Sequence, residues 1–377
     1  MRFLHTADWH LGRPFHGESL LDAQMGAIEH VAEVARAHAV DAILVSGDLY
    51  DRALPPVEAV RLADDALGRL SELCPVVVIS GNHDSATRLG FGSGLLARAG
   101  VHVRTDPTAI GRPVLLGSTC VYAIPYLEPD VTRAALGCEK RGHGPVLGAA
   151  MTTVRADLAT RPVGTRSIVM AHAFVTGALG CASERDLAVG GAASVSASTF
   201  AGVDYVALGH LHGPQRMGDR ARYAGSPVPF SFSEARHRKS VAVVDLAGVA
   251  PEVELVPFPV ARPLAMLRGT LDELLADPAL AEQERAWVHA TVTDPVRPRG
   301  AMEALRRRFP HAVVLAFDPQ GAGAHPEGTY AERLRGLDDT ELLSRFVRDV
   351  RGSDAEASEL ALLGDALTAG RVAELSS

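Results

Sequence analysis

Most of the histidines and carboxylates that could act together fall in five short motifs. They are Asp8-Trp9-His10, Gly47-Asp48-Leu49-Tyr50-Asp51, Gly81-Asn82-His83-Asp84, Ala171-His172 and Gly209-His210-Leu211-His212. At a strand end, Asp8 and His10 would share one face, because strand side chains repeat with period two, and the same holds for His210 and His212. Glycine before Asp48, Asn82 and His210 lets the chain turn sharply and brings backbone close to a site. Imidazole, carboxylate and amide oxygen together suit intermediate divalent metals such as manganese, iron or zinc. One metal rarely needs seven protein ligands. Two metals sharing a bridging carboxylate would use them all, and such a pair stabilises both the attacking and the leaving oxygen of in-line attack at phosphorus.

Each motif alone has a plainer reading. A single histidine is more often a surface or hydrogen-bonded core residue, Asp48 to Asp51 could be a turn or a helix cap, and Asn82 a turn residue. The five together, in this order and each after an apolar run, are hard to obtain by chance.

The elements that must carry these motifs are legible in the apolar pattern. Strands are predicted at residues 3–6, 41–46 and 75–80, alternating with helical spacing over 20–37 and 56–73. Further strands are predicted at 120–124, 167–171, 203–208 and 241–245, with a helix at 145–159. Strand–helix alternation implies a mostly parallel sheet with helices on its faces, which places chemistry beyond the carboxyl ends of strands. At residues 257–263 (PFPVARP) the pattern breaks, as a linker would. Beyond it, strands at 265–270, 287–292 and 312–316 and helices at 272–276 and 301–308 make a small α/β cap. Residues 321–328 read as a loop, and 337–375 as helical and amphipathic. The predicted domains are 1–260, 261–336 and 337–377.

Composition sets bounds. The 377 residues are 47% hydrophobic and 22% charged, as in an ordinary globular protein. A net charge of −8 argues against a strongly basic DNA-coating protein but not against a carboxylate-rich metal site. Much of the acidity sits in residues 338–377, where nine acidic side chains face four basic ones. The first residues lack the basic and apolar regions of a signal peptide, and no apolar run reaches membrane-helix length. Cys74, Cys120, Cys138 and Cys181 are scattered without a CxxC pair. The expectation is a cytoplasmic enzyme, nucleoid-associated when acting on DNA, with no membrane partner.

The set D-x-H, GD-x-x-D, GNHD, a lone histidine after an apolar strand, and G-H-x-H resembles the calcineurin-like metallophosphoesterases. That resemblance implies an α/β core of packed mixed β-sheets flanked by helices, with the capping domain and helical tail as additions. It implies two divalent metal ions, manganese foremost. Metal one would take Asp8, His10, Asp48 and His212. Metal two would take Asp48, Asn82, His172 and His210. His83 would face the scissile phosphate, Asp84 would orient and charge its imidazole, and Asp51 would stand behind the ligands.

Longer stretches narrow the family. HTADWHLGRPFHG, SGNHDSATRLGF, ALGHLHGPQRM and RYAGSPVPFSFSEARHRKSV are similar to the SbcD family of nuclease subunits. The resemblance covers residues 1–260 and extends into 263–270. It implies a metal-dependent nuclease for DNA repair, replication and recombination, acting on duplex ends, hairpins and single strands. Its partner would be an SbcC-type ATPase, in a heterotetramer of two nuclease and two ATPase subunits. No GxxxxGK[ST] occurs in the chain, so ATP would be bound by that partner. His16, Ser226, Arg236, Arg238 and Lys239 are candidate DNA contacts, against the alternative of a turn at Ser226 and solvated surface charge at the others. His237 is unassigned. Residues 87–99, with Leu89, Phe91, Leu95 and Leu96, are a candidate homodimer surface or else a core helix. The tail would bind the ATPase or pack on the cap. Two rivals stay open: a phosphoesterase for small phosphodiesters or phosphoproteins without a DNA partner, and a non-catalytic assembly subunit.

Overall fold

The computed structural model describes residues 1–184, 194–319, 338–351 and 353–375. The expected loop at 321–328 lies outside them. The chain divides into two units, Met1–Pro263 and Leu264–Ser377.

The first unit holds two six-stranded sheets. One contains β1 (Arg2–Thr6), β2 (Ala42–Ser46), β3 (Val76–Ile79) and β4 (Val101–Arg104) as neighbouring parallel strands. The other contains β5 (Val114–Leu116), β6 (Thr119–Ile124), β7 (Arg166–His172) and, beyond a small pair formed by β8 (Phe174–Val175) and β9 (Ser194–Val195), β10 (Tyr205–Gly209). Its edge beyond β10 is made by β12 (Ala221–Tyr223) and then β11 (Gln215–Met217). Strands β13 (Ser240–Asp245) and β14 (Glu252–Pro257) return to the first sheet and add an antiparallel edge next to β1. Both sheets are mixed, with parallel strands at the centre.

Period-two alternation explains how the layers pack. Val121 and Ala123 of β6 join Phe3, Ala42, Leu44, Val77 and Ile79 in one buried cluster between the sheets. Tyr122 and Ile124, one residue out of phase, join the opposite cluster with Val146, Leu147, Ala150, Met151 and Val154 of the helix His143–Leu158. The helices Leu21–Ala37 and Val57–Ser71 pack on each other, and the second packs against β3. β2 and β3 are buried at every position, which is why they read as unbroken apolar runs.

In the second unit β15 (Leu264–Gly269), β16 (Trp287–Val292) and β17 (Ala312–Phe317) form a parallel three-stranded sheet. Val288, Ala290 and Val292 of β16 share a core with Leu274, Leu305 and Phe309 from the helical segments. Two helices follow, Asp339–Arg351 and Ala357–Leu375. Among the described residues no helix is long and apolar enough to cross a membrane.

Candidate metal centre

The five motifs lie at or just beyond the carboxyl ends of β1, β2, β3, β7 and β10, so both sheets deliver side chains to one place. The route differs from the period-two expectation. β1 ends at Thr6, and Asp8 and His10 lie beyond it with φ of 55° and 44°. The chain stays laddered to the segment after β2 through Asp8 N–H to Gly47 O at 3.0 Å and His10 N–H to Asp48 O at 3.0 Å. A left-handed backbone, and not the pleat, aims these side chains. Among the described residues six non-glycines have positive φ, and four of them are Asp8, His10, Asp48 and His210. Such conformations cost on the order of 1–3 kcal/mol each and persist only where surroundings over-determine them.

Close backbone approach does the rest. A Cβ on Gly81 would lie 2.1 Å from Asp48 Oδ1, and one on Gly209 would lie 1.8 Å from the Ser46 carbonyl oxygen. Only glycine at these positions lets β10 meet β2 and lets the loop after β3 meet Asp48.

Asp48 stands at the centre. Its Oδ2 lies 3.3 Å from His172 Nε2, 3.6 Å from His10 Nε2 and 4.0 Å from His83 Nε2. Among the described residues three clusters have metal-binding spacing, His10–Asp48–His83, Asp8–Asp48–His172 and, beside them, Cys181–Glu184–His212; Asp48 belongs to the first two. His10 Nε2 and His212 Nε2 are 3.0 Å apart. Nitrogens bound at about 2.0–2.1 Å on perpendicular bonds to one ion would be separated by roughly that distance. On the other side, Asn82 Oδ1 lies 2.9 Å from His172 Nε2 and 3.2 Å from His210 Nδ1. Asp8 accepts the backbone N–H of His210 at 2.9 Å, tying the two sheets together. Hard carboxylate and amide oxygens with four imidazoles fit a pair of divalent cations.

The electrostatics of three of the four imidazoles point the same way; for the fourth, His172, burial would lower the ring but Asp48 and Asp8 outweigh it and raise it to about 9. Burial lowers His210 to about 3 and His212 to about 4, leaving neutral rings with a nitrogen lone pair to give. Burial also holds His10 well below its ordinary value. Burial pushes the Asp8 carboxyl well above its usual range, against the pull of His172. Burial would raise Asp48 too, but His172, His10 and His83 outweigh it and keep that carboxyl well below the usual range. Among the described residues, no lysine or arginine pairs with either of these fully buried carboxylates, and such a pair calls for metal charge.

His83 is 5% exposed, with Nδ1 2.7 Å from the Asp51 carbonyl oxygen. That oxygen can only accept, so Nδ1 carries the hydrogen and Nε2 faces Asp48. The Asp51 carboxylate lies 3.8 Å from His83 Nδ1 and 3.9 Å from His10 Nδ1. Asp84 departs from expectation. Its carboxylate accepts the backbone N–H groups of Leu49, Tyr50 and Gly81 at 3.1, 2.9 and 2.9 Å, so it clamps the two metal loops together, and Asp51 takes the place beside the imidazole.

The expected DNA contacts separate into two groups. Ser226 is fully buried, donating to Val228 O and accepting from Lys239 at 2.8 Å each. The Lys239 ammonium is sequestered on Glu234, Ser226 and the His212 carbonyl oxygen. Neither is presented to a substrate, because both are spent on holding the Gly225–Ser226–Pro227 turn against His212. Arg236, Arg238 and His16 remain exposed, the His16 ring 5.3 Å from that of Phe232.

Three residues near the centre have no motif of their own. Arg13 sits 4.8 Å over the Phe230 ring, which packs against His10 and His212. Ser183 and Glu234 stand behind His212. Glu234 has one signal in the sequence, the Ser231-x-x-Glu234 spacing of a capping box; Ser183 has none.

Residues 1–214 match the family model for calcineurin-like phosphoesterase. Residues 260–351 match a second model, described as Type 5 capsule protein repressor C-terminal domain. A curated relative from Staphylococcus saprophyticus, the D subunit of the nuclease SbcCD, is 26% identical over 376 residues and covers 98% of each chain. Among solved structures, TT1561 of Thermus thermophilus aligns with a TM-score of 0.40 and 16% identity, over 67% of this chain and 98% of that one. A dimetal phosphatase from Danio rerio aligns with a TM-score of 0.38 and 13% identity, over 69% of this chain and 99% of that one.

Proposed function

We propose that this chain, which belongs to the calcineurin-like phosphoesterase family, is the DNA-cutting subunit of an SbcC–SbcD-type complex. Family membership makes it a metal-dependent hydrolase of phosphate esters. The observation that carries the metal reading is Asp48, shared by two clusters of metal-binding spacing. Full-length similarity to a nuclease subunit supports DNA as substrate, and the 260–351 match supports a role for the second unit in that assembly.

Asp8, His10, Asp48 and His212 would hold the first ion, and Asp48, Asn82, His172 and His210 the second. When bound, two divalent ions polarise the phosphate and lower the pKa of a water. Manganese is the ion we assign. The chain's own residues do the remaining work. The His83 backbone N–H donates to Asp48 Oδ1 at 2.8 Å, which fixes the His83 loop to the shared carboxylate. With Nδ1–H tied to the Asp51 carbonyl, His83 Nε2 donates to the phosphate or to the leaving oxygen only when the ring is protonated, as an imidazolium. Asp51 steadies both His83 and His10, and Asp84 fixes the spacing of the two loops.

The homodimer is part of the proposal. The helices Ala86–Leu89 and Ser93–Leu96 bury none of their residues, so this segment is no core helix. Phe91, Leu95 and Leu96 are 87%, 70% and 38% exposed, an apolar face suited to a twofold contact. A cytoplasmic location agrees with four unpaired cysteines.

Cleavage of end-labelled hairpin and blunt duplexes in manganese, with and without a co-purified SbcC-type ATPase, tests the reading. Metal-dependent DNA cleavage stimulated by ATP is expected. Hydrolysis confined to small phosphodiesters or phosphopeptides would overturn it.

A further inference from the structure

Behind His212 lies a row of buried polar groups drawn from three parts of the chain. Ser183 Oγ is 2.7 Å from His212 Nδ1 and 2.6 Å from Glu234 Oε1. The same Glu234 oxygen accepts the backbone N–H groups of Phe230 and Ser231 at 2.9 Å each, while its other oxygen meets the Lys239 ammonium. Ser183, Glu234 and His212 are 6%, 2% and 1% exposed.

Counting hydrogens fixes the direction of these bonds. Glu234, ionised against Lys239 and two backbone donors, can only accept. Ser183 has one hydroxyl hydrogen, and between the Glu234 carboxylate at 2.6 Å and the Cys181 sulfur at 3.0 Å the carboxylate is the far stronger acceptor, so the hydrogen goes to Glu234 and Ser183 accepts from His212. His212 then carries its hydrogen on Nδ1 and its lone pair on Nε2, the nitrogen 3.0 Å from His10 Nε2. We propose that Ser183, oriented by the Glu234–Lys239 ion pair, is a positioning residue that locks His212 in the tautomer able to ligate through Nε2. The proposal rests on the reading of His212 as a metal ligand.

His172 shows why the arrangement matters. Its Nδ1 faces the Ser46 carbonyl oxygen at 3.0 Å, and a carbonyl can accept only, so that ring has one choice. A hydroxyl can donate or accept. The tautomer of His212 therefore depends on a residue that does not touch it through a hydrogen bond, Glu234. An amide in place of the carboxylate would keep its oxygen on the Phe230 and Ser231 N–H groups and still accept from Ser183, whereas an apolar side chain removes that acceptor, lets the hydroxyl hydrogen turn toward Nδ1 and moves the ring hydrogen to Nε2, where it blocks ligation. Partners behind a ligating histidine are typically worth about 10–100-fold in metal affinity.

The test uses the full chain with ¹⁵N-labelled histidine, metal-free, the His212 signals being assigned by their loss in His212→Gln. Ring-nitrogen shifts report the tautomer, and manganese titration by calorimetry reports affinity at each site. Wild type and Ser183→Thr should hold the hydrogen on Nδ1. Ser183→Ala and Glu234→Leu should populate the Nε2–H form and weaken first-site manganese binding about tenfold or more, with second-site affinity within about twofold, while Glu234→Gln, which keeps an accepting oxygen, should hold the hydrogen on Nδ1. Because Glu234→Leu leaves Lys239 buried without its counter-charge, the double variant Glu234→Leu/Lys239→Met is the folding-safe form of the same test. Unchanged tautomer and affinity in Ser183→Ala would overturn the proposal. Equal manganese stoichiometry in wild type and His212→Gln would instead overturn the ligand reading of His212, while leaving the tautomer result standing.

Discussion

The Ser46 carbonyl oxygen accepts from His172 Nδ1 at 3.0 Å, and this bond crosses from one sheet to the other. Ser46 Oγ also donates to the Ala207 carbonyl oxygen at 3.1 Å. One residue at the end of β2 thus sets both the spacing of the sheets and the orientation of a candidate ligand. The contact exists because Gly209 has no Cβ to meet that carbonyl. Gly209→Ala should destabilise the protein by about 1–3 kcal/mol and weaken metal binding at the His172 side. Gly26→Ala is the control: Gly26 lies in the helix Leu21–Ala37 with open space around it, and should gain about 0.5–1 kcal/mol. Chemical denaturation and metal stoichiometry of the two variants check both signs.

Asp48 and His83 should separate metal binding from chemistry. Asp48→Ala removes the carboxylate shared by both clusters, so both ions should be lost on desalting. His83→Ala should keep the metals and lose cleavage by about 10²–10⁴-fold, the range for a positioned acid or base. Elemental analysis alongside turnover measures both. Because His83 also has metal-binding spacing with His10 and Asp48, a metal-free His83→Ala would reassign it as a ligand.

Acid should destabilise the space between the sheets through His5. This ring is fully buried with Nδ1 3.1 Å from the Tyr205 hydroxyl, and burial lowers its pKa from 6.5 to about 3. The unfolded chain then binds the proton more readily than the folded one. The contribution of a neutral His5 is complete above about pH 6.5 and is lost as pH falls toward 3, at about 1.4 kcal/mol per unit. The stability difference between wild type and His5→Asn should shrink with that slope on acidification. A difference independent of pH between 6.5 and 4 would refute it.

The apolar face at Phe91 should disappear from solvent in the dimer. Phe91→Glu with Leu95→Glu should give a monomer by light scattering at concentrations where wild type is dimeric. Folding should be unaffected, since neither side chain is buried.

Sequence reading reaches the fold where burial is two-sided. The parallel strands β2 and β3 are unbroken apolar runs and are readable at sight. The edge strand β14 has no buried residue, carries Glu252 and Glu254, and has no such signal. At the site, residue types and order are readable, but what aims them is not. Left-handed backbone at Asp8 and His10 leaves no mark on a sequence. Ser183 and Glu234 lie 51 positions apart and meet only after folding. Lys239 misleads for the opposite reason: its neighbours Arg236 and Arg238 are exposed, while its own ammonium turns inward to a carboxylate that no local pattern reveals.

The tail leaves apolar side chains exposed among the described residues. In the helix Asp339–Arg351, Leu342, Leu343, Phe346, Val347 and Val350 make one apolar stripe, and Phe346 and Val350 are 54% and 70% exposed. In the helix Ala357–Leu375, Leu362 is 70% exposed. None of residues 340–348, 350–351 and 353–367 is buried, as packing on the cap would require of at least some of them. The amphipathic helix Asp339–Arg351 suits a groove on a partner helix, read through anchors three and four residues apart. The acidic excess of residues 338–377 would favour a basic surface and repel DNA. Deleting residues 338–377 should therefore spare manganese-dependent cleavage by the isolated chain. It should abolish both co-purification with the ATPase and ATP stimulation. The milder pair Phe346→Glu and Leu362→Glu should weaken the complex in the same direction, because both side chains are exposed and neither supports the fold. A truncated chain that still forms a tight, ATP-responsive complex would place the ATPase-binding surface elsewhere.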